Sequence, residues 1–206
     1  MPARVACGMC RVGGGTRIAG QGTMSLINHL KGRIAEALVE SIFRQHGYKV
    51  SRLSRESPVR RLTKVNCDEF LPDFLVWKVA KGASLDRHRM LNIEAKYRAN
   101  LRSFLQRHGV DVLSRAQQRW PTLYFVFVTD VPDAGRSCFQ TVRLRDYTPG
   151  SIPTTVDLHE VRELGISRST VTKHEVMVRQ LFATLKERVP LRQAVRSAPF
   201  LQRFRA

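Results

Sequence analysis

Residues 122–129 (TLYFVFVT) constrain the fold more than any other stretch of this sequence. The run is β-branched and aromatic, which favours a strand, and it leaves no polar face for water. A strand apolar on both sides must be covered on both sides, so the run predicts a buried, central strand of a layered α/β domain. It is far short of the ~20 apolar residues that a transmembrane helix needs.

Periodicity places other elements around it. Residues 26–46 read as an amphipathic helix, with Ile34, Ala35, Leu38, Ile42 and Phe43 on one stripe and Gly47 ending it. Residues 48–53 alternate as a strand does. Residues 54–69 are polar and basic and read as a loop. Residues 73–79 and 89–97 suit a pair of strands turning around Lys81-Gly82. Residues 101–119 read as a helix, broken at Gly109 and closed by Trp120-Pro121. Residues 138–144 suit another strand. The order predicts an α/β fold with a mixed central sheet flanked by helices, its core running α-β-β-β-α-β. The chain divides into a flexible Gly-rich leader (1–23), this core (24–150), a helical extension (151–189) and a basic tail (190–206).

Charge narrows the partners. The chain has 206 residues, with 35 Lys+Arg against 17 Asp+Glu, for a net charge of +18. That favours a polyanion, above all nucleic acid. A membrane-surface protein would need an exposed amphipathic apolar helix, which the sequence lacks. With no apolar leader segment the chain reads as cytoplasmic. Cys7 and Cys10 form a CxxC, but Cys67 and Cys138 have no nearby partner cysteine. The four read as reduced thiols rather than a zinc site.

Two short patterns carry chemistry. Pro72-Asp73 enters one strand, and Glu94-Ala95-Lys96 ends the next. In a strand, residues i and i+2 share a face, so Glu94 and Lys96 project together while Ala95 faces the other way. If the strands pair, Asp73 lies beside Glu94. Two carboxylates near one point repel unless a cation joins them. Oxygen ligands suit Mg²⁺, with Mn²⁺ as a substitute. Singly, each pattern is bland: Pro-Asp opens turns, and a Glu/Lys pair decorates a solvated strand face.

Pro72-Asp73 followed by Glu94-x-Lys96, with twenty residues between the acids, resembles the PD-(D/E)XK nuclease superfamily. Residues 31–50 (KGRIAEALVESIFRQHGYKV) look like the opening helix of archaeal Holliday-junction resolvases, where a Lys/Arg-Gly pair precedes an acid. The resemblance covers about residues 31–130. The basic insertion at 54–71 is longer than compact resolvases carry. The resemblance implies a restriction-endonuclease-like fold and a Mg²⁺-dependent endonuclease hydrolysing DNA phosphodiester bonds. It implies Asp73, Glu94 and the backbone carbonyl of Ala95 as metal ligands, Glu36 as a helix-borne acid acting directly or through a water, and Lys96 as the residue that orients the attacking water. Glu40, one turn on, is the alternative acid. A catalytically inactive nucleic-acid-binding protein with the same fold is the rival. A second copy of the chain is an open partner, and no small-molecule cofactor is implied.

Arg52, Arg55, Arg60, Arg61 and Lys64 lead into Asp73 and are candidates for phosphate contact, as are Tyr97 and Arg98 after the lysine. Gln117, on the helix after the ExK strand, is a further candidate for the catalytic face. Residues 158–174 have the outline of a helix-turn-helix. The pattern from Thr172 to Glu175 (TKHE) reads instead as a capping box starting a packing helix near Lys173.

Overall fold

The computed structural model describes residues 19–53, 70–78 and 90–196. Helix α1 (Ala19–Gln45) is followed by β1 (Lys49–Arg52), β2 (Phe74–Trp77) and β3 (Met90–Tyr97). A helical crossover then runs through α2 (Leu101–Phe104), a π-helical segment (Leu105–Gly109) and α3 (Val110–Arg119). Strands β4 (Tyr124–Val128), β5 (Phe139–Arg143) and β6 (Val156–Asp157) follow, and α4 (Arg168–Arg196) ends the described chain.

The six strands form one mixed sheet in sequence order. Only β3 and β4 pair in parallel; the other neighbours are antiparallel. A parallel pair needs a long connection, and the crossover over 101–119 supplies it. All five residues of β4 are buried, as its apolar run requires.

Alternation along the strands builds two cores. Tyr124, Val126 and Val128 join Ile93, Ala95 and Tyr97 against Ala35, Leu38, Val39, Ile42 and Phe43 of α1. Phe125 and Phe127 face the other way, onto Leu101, Leu105, Leu113 and Ala116. Gly47 takes φ 75°, the left-handed conformation that ends α1 at little cost. The helix itself starts at Ala19, earlier than its apolar stripe, because extending a helix already anchored on a core is easier than nucleating one.

Gly109 does not break the crossover. It keeps helical angles (φ −60°) at the end of the π-helical segment. A Cβ there would lie 3.2 Å from Pro153 Cγ, so the glycine serves a close approach between helix and loop.

The start of α4 also differs from the capping box at Thr172. The helix begins at Arg168, and Ser167 Oγ accepts the Thr170 amide at 3.3 Å. Ile166 and Val171 are both buried, flanking Ser167 as a hydrophobic staple. Burial of that apolar pair outweighs the polar pattern five residues later. Before the helix come only short 3₁₀ turns, Leu158–Glu160 and Arg162–Leu164, so no helix-turn-helix forms.

Helix α4 packs on the same core as α1. Val171, Val178 and Phe182 are buried there, His174 Nε2 lies 3.1 Å from Ser41 Oγ, and Phe182 meets the Tyr97 ring edge-on at 5.1 Å. Cys138 is a free, buried thiol; Cys7, Cys10 and Cys67 lie outside the described residues. Among the described residues, no helix is long and apolar enough to cross a membrane.

Phe182 is fully buried, so Phe182→Ala leaves a cavity and is expected to cost about 3–5 kcal/mol of stability. Urea denaturation followed by circular dichroism measures this. An unchanged midpoint would show that α4 is not part of the core.

Candidate active site

The site begins with the segment that enters β2. Trp120 Nε1 donates to the carbonyl of Phe70 at 3.1 Å, holding the chain two residues before the buried Pro72. The Leu53 amide donates to the carbonyl of Asp73 at 2.9 Å. Phe74 then pairs with Ile93, which sets Asp73 beside Glu94.

The two acids interlock. The Asp73 amide donates to Glu94 Oε2 at 3.1 Å, and the Ala95 amide donates to Asp73 Oδ2 at 2.9 Å. Lys96 donates to Glu94 Oε1, and its ammonium lies 6.0 Å from the centroid of the Phe70 ring. Glu94 and Lys96 share the face of the sheet that carries Phe125 and Phe127. Tyr97 points to the other face, into the α1 core, rather than toward a bound backbone.

Burial dominates the electrostatics of the cluster. Burial pushes the Glu94 carboxyl up to about 8; the Lys96 ammonium opposes the shift and the Asp73 carboxylate adds to it. Asp73 is raised by burial, against the Ala95 N–H bond and the Lys96 charge. Glu36, half-buried on α1, is raised by burial and by the neighbouring Asp73 charge, which places all three acids in one electrostatic unit. Burial disfavours ionisation of these oxygen donors, and added positive charge nearby would favour it.

The third acid is held apart from the other two. Glu36 Oε2 accepts Arg33 Nη1 at 2.8 Å. Among the described residues, Asp157, His159 and Glu160 form a mixed acid/imidazole group whose ligand atoms all lie within 4.8 Å of one another; Glu36, Asp73 and Glu94 do not close to that spacing. Asp157 is engaged by Arg136 Nε at 2.8 Å and by the Ser137 amide at 3.1 Å. Glu40 is taken by Arg44 and Arg52. Burial works to raise its pKa, but hydrogen bonds from those two arginines outweigh it and the net shift is downward.

The other candidates divide. Arg52 joins the Glu40 pair and lies over the Phe74 ring at 5.7 Å. Arg98 Nη1 donates to the carbonyl of Tyr97 at 2.7 Å, and its guanidinium stacks 4.2 Å from the Phe104 ring centre. Gln117 Nε2 donates to the carbonyls of Leu144 and Tyr147, at 2.6 and 2.8 Å, tying α3 to the chain after β5. Arg55, Arg60, Arg61 and Lys64 lie outside the described residues. Sequence reasoning missed Arg33 and Phe70. Arg33 was readable as the i,i+3 partner of Glu36. Phe70 owes its place beneath Lys96 to the tertiary bond from Trp120, which leaves no local signal. Compared with known proteins, the chain matches no family model and no curated sequence.

The Glu94 shift sets a pH dependence. From its usual value of 4.5 up to about 8, the folded chain holds a proton on Glu94 that the unfolded chain has released. The apo protein therefore loses stability from this group as pH rises through that window. Thermal melts in EDTA from pH 5.5 to 8 are expected to fall more steeply for the wild type than for Glu94→Gln. Added Mg²⁺ is expected to raise Tm more at pH 8 than at pH 6, because a proton competes for the same oxygen. Equal Mg²⁺ shifts at both pH values would remove Glu94 from the cation site.

Proposed function

We propose that this protein is a Mg²⁺-dependent endonuclease of the PD-(D/E)XK type, with a restriction-endonuclease-like fold, that hydrolyses DNA phosphodiester bonds. The observation that carries the reading is the interlocked Asp73/Glu94 pair with Lys96 bonded to Glu94. The strand order adds support, since both motifs fall on adjacent antiparallel strands beside a buried parallel one. The net charge of +18 supports a polyanionic substrate.

Asp73, Glu94 and the carbonyl of Ala95 would hold Mg²⁺ or Mn²⁺. The ion, when bound, supplies Lewis-acid polarisation of the scissile phosphate and lowers the pKa of the attacking water. The protein's own groups do the positioning. As a ligand, Glu94 would release its proton to solvent and give up its bond to Lys96. Lys96 is thereby freed to orient the water and to face charge that develops on the phosphate. Glu36 would leave Arg33 and move toward the Asp73/Glu94 pair to serve as a third acid. Arg33, released, and Arg98 at the end of β3 would contact the DNA backbone, with the 52–64 basic segment leading into Asp73. Glu40 serves the α1–β1 contact through Arg44 and Arg52.

The test is cleavage of plasmid, linear, single-stranded and four-way-junction DNA with Mg²⁺, Mn²⁺ or EDTA. Asp73→Asn, Glu94→Gln and Lys96→Ala are each expected to lower turnover by roughly a hundredfold or more, while DNA binding in EDTA stays within about twofold. Glu36→Gln is expected to cut activity severely and Glu40→Gln far less. Wild-type turnover in Asp73→Asn would sink the mechanism. Tight DNA binding by a wild-type chain that cleaves nothing would favour an inactive binding protein instead.

A further inference from the structure

We propose that Lys31 is a positioning residue for Glu36, fixing the height of α1 over β3 so that the third acid stands at the cleft. The proposal rests on the metal-nuclease reading of the site. Lys31 lies on α1 before Glu36 and is only 3% exposed. A buried ammonium is costly unless fully partnered. Its Nζ donates to Asp130 Oδ2 and to Tyr97 Oη, both at 3.0 Å. Tyr97 Oη in turn donates to Asp130 Oδ1 at 2.9 Å. The rings of Tyr97 and Phe182 lie 5.0 and 4.9 Å from the ammonium. Lys186 of α4 adds a second cation to Asp130 at 2.8 Å. One side chain of α1 is thus joined to the ends of β3 and β4 and packed under α4.

The position of this anchor matters. Tyr97 is the neighbour of Lys96 on β3, so the strand carries the Lys31 anchor on one face and the Glu94/Lys96 pair on the other. A second pin joins α1 to the sheet through Glu40 and Arg52 of β1. Glu36 falls between the pins, roughly 7.5 Å along the helix from one and 6 Å from the other. Its hydrogen-bond partner among the described residues is Arg33 on the same helix, whereas Asp73 and Glu94 bond each other. The two pins therefore decide where the Glu36 carboxylate can reach. A buried ion pair is itself weak evidence of a purely stabilising role, because apolar residues in place of both partners are often no less stable.

The experiment is a double-mutant cycle on the full chain, with Lys31→Met, Glu36→Gln and the pair together. It measures kcat and KM for Mg²⁺-dependent DNA cleavage, with thermal unfolding recorded for each protein. Lys31→Met keeps the length of the stem and leaves Asp130 bonded to Lys186. We expect it to lower kcat by about ten- to a hundredfold with KM for DNA unchanged, and the double variant to be no slower than Glu36→Gln alone. Wild-type kcat in Lys31→Met overturns the proposal. So do losses that multiply in the double variant, since a general structural role would act independently of Glu36. If Lys31→Met melts below the assay temperature, Tyr97→Phe removes the hydroxyl joint, keeps the ring, and must show the same non-additivity with Glu36→Gln. A wild-type chain inactive with every divalent ion and DNA tested rejects the nuclease reading, and this proposal with it. An active wild type with an impaired Glu36→Gln and a normal Lys31→Met rejects the proposal alone.

Discussion

Phe74 pairs with Ile93, and the register of β2 on β3 is what the acidic cleft depends on. It turns two acids far apart in sequence into reciprocal partners, each accepting a backbone N–H beside the other. A slip of one residue would turn every side chain of β2 to the opposite face and carry Asp73 away from Glu94. The register is guarded by burial, since Phe74 and Val76 are both inside the α1 core and cannot be exchanged for their neighbours without loss. It is guarded again just before β2, where Trp120 holds Phe70. A packing constraint and a tertiary hydrogen bond together place one carboxylate.

The same sheet explains why the charged cluster can exist at all. β4 is buried along its whole length, with α1 and α4 on one side and the crossover helix on the other. β3 is its parallel neighbour and shares that low-dielectric setting, but its outward row at Asn92, Glu94 and Lys96 is polar. Glu94 is consequently an acid kept mostly out of water, and its raised pKa is the cost of that placement. Buried, unpaired acids are rare in cores because they destabilise. One held in place by hydrogen bonds and beside another acid is a candidate functional site.

Much of this is legible in the sequence. The apolar run at 122–129 specified a central strand, because no other arrangement hides aromatic residues on both faces. The α1 stripe, the two strands around the acids and the i, i+2 relation of Glu94 to Lys96 all follow from periodicity. The failures have physical reasons. Thr172 carried a local capping pattern, but capping contributes about 1 kcal/mol, and burying Ile166 and Val171 around Ser167 is worth more. The intrinsic tendency of Gly109 is to weaken a helix, whereas the structure uses its missing Cβ against Pro153. Gln117 lay on the right helix, but its amide is claimed by two carbonyls beyond β5, a contact between segments that periodicity cannot see. Helix α4 was legible as a packing helix, yet not as a partner of α1, since nothing local in 171–182 names the surface it covers.

The basic chain and the acidic cleft are complementary rather than contradictory. A net charge of +18 draws polyanions to the surface but does not neutralise buried carboxylates, which feel only nearby charge. The local cations around the cleft are already bound: Arg33 to Glu36, Lys96 to Glu94, Arg52 to Glu40. Arg33 and Arg52 are substantially exposed, so their ion pairs are weak. Lys31 and Asp130 are different, because both side chains are buried, with Lys186 reaching Asp130 from the surface. Burial would raise the Asp130 pKa, but hydrogen bonds from Lys186, Lys31 and Tyr97 overcome it and hold the carboxyl down at about 2, so Asp130 stays ionised where Glu94 titrates. The fold thus separates partly exposed ion pairs from a buried one, and β3 carries the Glu94–Lys96 pair on one face and the Tyr97 joint to Lys31 and Asp130 on the other.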